Sequence, residues 1–415
     1  MSSTRRFAIV SPNFYPRVCG IGDHSARLAA ELQRRGHQVN VFSRDPVARH
    51  PEAPEIDVRG VAGGLPIVIA QKIADAVAAK RPTDVILQYT SQMWDAWRFG
   101  SPALTLLAAR VRDAGASVTL IAHEPFVPWR RRPDLMLAAL MQRIHFAGLL
   151  RSCDHVFVTT DTRVRYIAPY CDALGVAAPG VIRVGANAVP VVRAPALTAA
   201  PTALAGPSIG VFSTAAAGKK FAVVFDAFAR VARAFPSARL VLIGDLGAPD
   251  RPAVKEIMNA IRHHPFRAHI RVTGRLSLSQ IAAELVVLDV CLFPMNTGAN
   301  TRSGTLPAAL GAGLPVVAIQ GIETDVNLFR DGENIALASE LSGEAFAQAT
   351  LRLLRDRSLL DRIGEGAREL YADHLSWRRI ADQLLAAIES SHSASIDAHT
   401  TSPKRPTRRD EGSRY

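Results

Sequence analysis

The chain has 415 residues, more than one ordinary hydrophobic core can serve, so about two domains are expected. Its four cysteines form no C-x-x-C pair and no run of ~18 apolar residues occurs, which excludes a disulfide scaffold, a zinc ribbon and a membrane-spanning helix. The net charge is +12 and residues 391–415 supply only +2 of it, so the body is itself basic; phosphorylated substrates, an anionic membrane surface and nucleic acid each fit that balance.

The first residues, MSSTRRFAIV, hold an apolar run too short for a secretory segment and read better as a first strand. With Cys19, Cys153, Cys171 and Cys291 far apart, reduced thiols and a cytoplasmic location are expected. After the strand at 6–11 comes a loop with Gly20 and Gly22, then a helix from about Asp23 with Leu28, Ala29 and Leu32 at helical spacing, stopping at Gly36. A strand at 39–42 completes a βαβ unit. As a dinucleotide fingerprint it is weak, because the third glycine position is Ser25. Gly22 marks either a close approach of backbone to ligand, with His24 and Ser25 at the helix mouth, or a tight turn with positive φ.

Strands at 85–88, 117–122 and 155–159 alternate with helices at 103–114 and 135–150, the pattern of a parallel sheet covered on both faces. His123 and Glu124 directly follow a strand, where a doubly wound sheet places its cleft. His123 is thus either a donor to a substrate hydroxyl or phosphate, or a buried histidine satisfied by a neighbour. No H-E-x-x-H follows, which excludes a zinc protease. Trp129 and Arg130 to Arg132 precede an apolar helix that also carries Arg143; such a face either lies on anionic lipid or packs on the sheet with its charges in water.

Residues 191–207 are rich in Pro and Ala and read as a linker between domains at 1–190 and 208–376. The G-x-S-x-G match at 206–210 precedes a strand instead of joining strand to helix, so it is no nucleophile elbow. In the second half, strands at 208–212, 240–244, 270–273, 290–293 and 316–319 end on small, polar or basic residues. Gly218-Lys219 lacks the remaining Walker positions, but Lys219 at a helix mouth can pair with a phosphate. Residues 293–318, FPMNTGANTRSGTLPAALGAGLPVVA, form a strand, polar loop, helix, strand unit. Asn300, Thr301, Arg302, Ser303, Gly304 and Thr305 either present donors and a cation to an anion or simply cap the helix. Helices at 342–356, 358–370 and 377–389 follow, and the basic tail 390–415 is expected to be disordered.

Taken together, GIGDHSARLAAELQRRGHQV, His123-Glu124, VIRVGANAV, AGKKFAVVFDAFARV, LVLIGDLG, HIRVTGRL, ALGAGLPVVA and FRDGENIAL, in this order, resemble the retaining glycosyltransferases of the GT-B fold, family four, also called glycosyl transferase group one. The resemblance runs over nearly all of residues 6–389. It implies an α/β protein of two Rossmann-like domains facing across a cleft, a nucleotide-sugar donor held by the second domain and a glycan or lipid-linked acceptor over the first. It also implies no metal or other cofactor, no nucleic-acid partner, and a helix at 377–389 returning to the first domain. His123 would contact the donor sugar; Gly22, Lys219 and residues 300–305 would hold the donor. A role in cell-envelope or exopolysaccharide assembly at the inner membrane face follows, beside the alternatives of an inactive binding relative and a nucleotide-sugar epimerase.

The departures from the family pattern matter. Two glutamates eight apart usually contact the donor sugar and the ribose, and here those positions are Asn300 and Ala308. The usual arginine before the lysine is Thr214. Asn300 offers one acceptor and one donor group and Ala308 neither, so Arg302 to Thr305 are expected to carry more of the diphosphate and sugar contact. The TRSGT-to-GLPVVA stretch resembles a divergent branch with an arginine in this loop.

Overall fold

A computed structural model describes residues 4–17, 19–44, 47–50, 53–61, 63–94, 99–129, 131–188, 206–215 and 218–400, the last ten as backbone only. Two parallel sheets are seen, as the strand and helix alternation requires. The first has seven strands in the order β3-β2-β1-β4-β5-β6-β7: β1 (Arg6–Ser11), β2 (Gln38–Ser43), β3 (Asp57–Gly60), β4 (Asp84–Thr90), β5 (Ser117–Glu124), β6 (His155–Val158) and β7 (Gly180–Val181). The second has six in the order β10-β9-β8-β11-β12-β13: β8 (Ser208–Phe212), β9 (Arg239–Ile243), β10 (Ile270–Val272), β11 (Val290–Leu292), β12 (Val316–Ile319) and β13 (Ala336–Ala338). Every residue of β4 is buried, because this central strand is covered on both faces.

Helices α1 (Gly20–Arg34), α2 (Pro66–Ala79), α3 (Ala103–Asp113), α4 (Pro133–Arg151) and α5 (Asp161–Leu174) dress the first sheet. Helices α6 (Phe221–Ala234), α7 (Pro252–His263), α8 (Leu278–Val286), α9 (Thr305–Gly311), α10 (Gly343–Arg355) and α11 (Arg357–Leu370) dress the second. The last helix, α12 (Trp377–Thr400), packs on the first: Trp377, Ile380, Leu384 and Ile388 are buried with Phe7, Ile9, Leu28 and Leu32. Each such side chain contributes about 1.5–3 kcal/mol of burial, which ties the end of the chain to its beginning.

Several elements differ from the sequence reading. Helix α1 begins at Gly20 rather than Asp23, its first turn hidden by two glycines of low helix propensity. Strand β5 continues through His123 and Glu124. The elements β3, α2, α5, α7, α8 and β13 were not expected; β3 is a mostly exposed edge strand, and α5 carries Pro169 within it. Helix α12 runs on through Thr400 where disorder was expected from Ser390, since extending an anchored helix needs no new nucleus. Residues 401–415 of the tail, and 189–205 of the linker, lie outside the described residues.

Strand order reverses between β1 and β4 in the first sheet and between β8 and β11 in the second. Crevices open at the carboxyl ends of strands at such points. The functional residues should therefore lie where β1, β4 and β5 end and where β8, β9 and β11 end.

Candidate functional site

Two cavities occupy those places. One, of about 270 Å³, is lined by Thr90 and His123 at the ends of β4 and β5, by Cys19, Gly20 and Ile21 at the start of α1, by Arg163 of α5, and by Arg302, Ser303 and Gly304 of the second domain. The other, of about 440 Å³, is lined by Phe212 to Thr214 after β8, Gly244 and Asp245 after β9, Arg275 to Leu278 after β10, and Tyr15, Arg17 and Asp23 of the first domain. Asn187 borders both cavities. Gly304 on one side and Thr305 on the other make the 303–305 turn the wall between them.

That wall is tight. A Cβ on Gly304 would stand 1.5 Å from Asn187 Oδ1 and 2.7 Å from Gly185 O, and the Asn187 amide donates to Gly304 O at 3.3 Å. Ser303 Oγ and Thr305 Oγ1 are 3.1 Å apart, so the hydroxyls bond each other beside the start of α9.

The neighbouring loop residues mostly hold the loop itself. Asn300 is buried; its amide donates to Thr297 Oγ1 at 3.2 Å and Gly298 O at 3.0 Å, and its Oδ1 accepts from the Arg302 amide at 3.2 Å. Thr301 is fully buried at the domain boundary. Its hydroxyl lies 3.0 Å from both Thr159 O and Asp325 Oδ2, and its amide donates to the same carboxylate at 3.2 Å. Neither side chain lines either cavity. Ala308 is buried in the second domain's core.

Arg302 bridges the domains, its guanidinium 2.9 Å from Glu124 Oε1 in the first and 2.7 Å from Glu323 Oε2 in the second. Burial works to lower its pKa, but the two carboxylates outweigh it and the net shift is upward. Arg163, mostly buried beside it, donates to Thr159 Oγ1 at 2.6 Å. Burial, reinforced by Arg302, lowers Arg163 to about 10. A second ionic knot lies deeper: Asp325, with no exposed surface, accepts from the Asp161 amide at 3.2 Å and sits 3.4 Å from Arg183. Sequence spacing could not have singled out Glu323, Asp325 or Arg183, because each acts on a partner from the other domain or a distant loop.

His123 owes its position to a bulge. Tyr89 pairs with Ala122 and Thr90 with Glu124, so His123 is the extra residue of β5. Bulges re-aim the side chain they carry. Here the ring turns toward α1, its Nε2 lying 2.7 Å from Gln88 Oε1 on β4. It meets His24 of α1 edge-on at 4.9 Å, and His24 in turn meets Trp377 of α12 at 5.0 Å. Burial lowers His24 to about 3 and, helped by His24 and Arg163, holds His123 well below the usual histidine range. Both rings are neutral at physiological pH.

Gly22 and Lys219 stand elsewhere. Gly22 lies inside α1 with ordinary helical backbone, and what approaches it is the chain itself: a Cβ there would be 3.2 Å from Asn13 O and from Phe14 Cα. Neither the ligand approach nor the positive-φ turn describes it. Lys219 pairs in a backbone bridge with Met295 and rests its ammonium 4.5 Å above the Phe293 ring. It borders a separate small cavity under α6 and α7, away from Arg302. Burial lowers its pKa to about 8, and no described carboxylate pairs with it.

Residues 18–187 match the family described as Glycosyltransferase Family 4, and residues 206–356 match Glycosyl transferases group 1. Both domains are glycosyltransferase domains. The division falls where the two sheets divide, so each match covers one side of the cleft. No curated protein sequence was found to match the chain. Among solved structures, sucrose-phosphate synthase from Thermosynechococcus elongatus is similar with a TM-score of 0.70 at 16% identity, over 94% of this chain and 100% of that one. HepE of Anabaena in complex with UDP has a TM-score of 0.68 at 15% identity, over 93% and 100%. A glycosyltransferase from Rickettsia africae has a TM-score of 0.69 at 13% identity, over 94% and 98%. The fold of this glycosyltransferase is accordingly GT-B.

Proposed function

We propose that this glycosyltransferase moves a sugar, with retention, from a nucleotide-sugar donor to a glycan or lipid-linked acceptor in cell-envelope or exopolysaccharide synthesis. The carrying observation is that two cavities, each lined from both domains, meet at Asn187, Gly304 and Thr305. The cavity with Phe212, Leu276, Leu278 and Arg275 suits a base and ribose, and the smaller one with Thr90 and His123 suits a sugar. The diphosphate would span the 303–305 turn between them. HepE, similar in fold, is known in complex with UDP and with UDP-glucose, which supports a donor of that class.

Departure of a diphosphate builds negative charge that a preorganised cation must meet. Arg302 is that cation in this reading; a phosphate oxygen would compete with Glu124 for its guanidinium. Lys219, an ammonium with no carboxylate partner among the described residues, is the second cation in this reading, to be drawn from Phe293 by the donor. Arg302→Ala and Lys219→Ala are each expected to lower donor turnover by orders of magnitude, and near-normal rates in both would sink the donor-site assignment. Thermal melts with UDP, GDP, ADP and their sugars test the reading more directly, because a bound ligand raises the melting temperature. Absence of any shift would favour a non-catalytic binding protein, a reading that Asn300 and Ala308, both turned inward, keep in view. Free-sugar isomerisation without acceptor would favour an epimerase.

We also propose an anionic membrane surface as a partner of the first domain. Of the fifteen large apolar side chains exposed among the described residues, eleven lie on or just before α2 to α5, among them Leu65, Phe99, Trp129, Leu137 and Ile144. No helix among the described residues is long and apolar enough to cross a membrane, so contact would be with the surface only. Between Trp129 and Arg151 five arginines stand against one aspartate, a balance that attracts anionic lipid and repels a second copy of the same face. The protein is expected to sediment with phosphatidylglycerol-containing vesicles, to ignore pure phosphatidylcholine, and to lose the association in Leu137→Ser/Ile144→Ser. Equal recovery in the supernatant with both vesicles would refute the surface.

A further inference from the structure

The smaller cavity carries more positive charge than a neutral sugar requires. Its described wall holds two guanidiniums, Arg163 and Arg302, and one carboxylate, Glu124. Arg302 is already answered, by Glu124 at 2.9 Å and Glu323 at 2.7 Å. Arg163 is not. It stands in the first turn of α5, directly after β6, its amide donating to Thr160 Oγ1 at 3.4 Å and its Nη1 to Thr159 Oγ1 at 2.6 Å. That is its one side-chain hydrogen bond among the described residues, and no described carboxylate stands within ion-pair distance of it. The remaining nitrogens of its fork are not sealed in: none of them is a buried atom without a partner, so they keep accessible surface on the cavity wall.

Electrostatics agree with the geometry. Burial and the charge on Arg302 lower the Arg163 pKa to about 10 in spite of Glu124, Glu323 and Asp325, so these carboxylates do not make good what desolvation costs it. An anion brought against the guanidinium would. Position separates that anion from the diphosphate, because Arg163 borders the cavity on one side of the 303–305 turn and takes no part in the larger one. A guanidinium presents five N–H donors in a planar fork, which matches a carboxylate with two parallel hydrogen bonds. Little on the same wall repels such a group: His123 is uncharged, Asn300 donates into its own loop, and Glu124 is held by Arg302.

We propose that the donor sugar is acidic, a hexuronate whose carboxylate is bound by Arg163. The inference rests on the glycosyl-transfer reading and names the class of donor within it. Calorimetric titration with UDP, UDP-glucose and UDP-glucuronate tests it, since the two sugars differ only in a hydroxymethyl group replaced by a carboxylate. The wild type is expected to bind UDP-glucuronate about 10- to 100-fold more tightly than UDP-glucose, and to prefer UDP-galacturonate over UDP-galactose likewise. Arg163→Gln, which keeps a donor near Thr159 and removes the charge, should abolish both preferences with little change for UDP. No preference for the acidic sugar in the wild type, or one that persists in a folded Arg163→Gln protein, overturns the proposal. A loss in Arg163→Gln that is as large for UDP as for UDP-glucuronate also overturns it, by placing Arg163 on the diphosphate.

Failure of the wild type to bind UDP would count instead against the donor reading. The subsite is then judged without nucleotide, by phenylglyoxal modification of Arg163 mapped by mass spectrometry. Free glucuronate is expected to slow that modification and glucose, at equal ionic strength, to leave it unchanged; equal modification with both overturns the subsite. Protection by glucuronate in a protein that binds UDP yet shows no preference for UDP-glucuronate would move the carboxylate to the acceptor and overturn its assignment to the donor.

Discussion

Gly304→Ala is expected to push the two domains apart and weaken nucleotide binding by about 10- to 100-fold, while each domain stays folded. The backbone at Gly304 is right-handed, φ −66° and ψ −3°, so alanine is conformationally acceptable there. What forbids it is the other domain, with Asn187 Oδ1 at 1.5 Å and Gly185 O at 2.7 Å from the added methyl. Asn187 can rotate, but Gly185 O belongs to backbone that is itself pinned: a Cβ on Gly185 would meet the Trp377 ring at 2.7 Å. Overpacking of this kind costs roughly 1–3 kcal/mol, which is the affinity loss expected if binding requires the closed wall. Small-angle scattering should show a larger radius of gyration, and nucleotide melts a smaller shift. A normal affinity for UDP in the variant would mean that the 303–305 turn is not part of the donor path.

Asp325→Ala is the second large effect, expected to destabilise the protein by about 3–5 kcal/mol and to split a single unfolding transition into two. The carboxylate joins Thr301 of its own domain to the Asp161 amide and Arg183 of the other. Removing it leaves the Thr301 and Asp161 amides without their acceptor, while Arg183, 12% exposed, keeps only the Asp161 carboxylate at 3.0 Å. The pair is not as favourable as its contacts suggest, because burial raises the Asp325 pKa despite Arg183. Asp325→Asn, which keeps one acceptor oxygen and removes the charge that burial penalises, should cost less than Asp325→Ala. Denaturant melts followed by circular dichroism, which reports on both domains, would measure both, and equal losses for the two variants would show that charge, not hydrogen bonding, holds the knot.

Much of this was legible in the sequence for a local reason. Strands that are buried on both faces read as apolar runs, and helices between them read by their period, so the two parallel sheets and the order of their main elements follow from neighbouring residues alone. The loop after β11 could be marked as a ligand or capping loop because Asn300 to Thr305 are small donors ahead of a helix. Edge strand β3, with its exposed DVRG, and α5, with Pro169 inside, lack that local signature and were invisible.

The roles within the loop were decided elsewhere. By itself the sequence determined two α/β halves, a basic body, and a resemblance whose ordered segments name the enzyme class. Tertiary structure alone decided that Asn300 braces its own loop, that Thr301 and Arg302 fasten one domain to the other, and that Lys219 sits on Phe293. It also decided that Gln88 faces His123. The physical reason is the same in each case: a polar side chain acts through whatever acceptor or charge lies within about 3 Å. For Arg302 that includes Glu124, 178 residues away in the chain, a neighbour that no local pattern encodes.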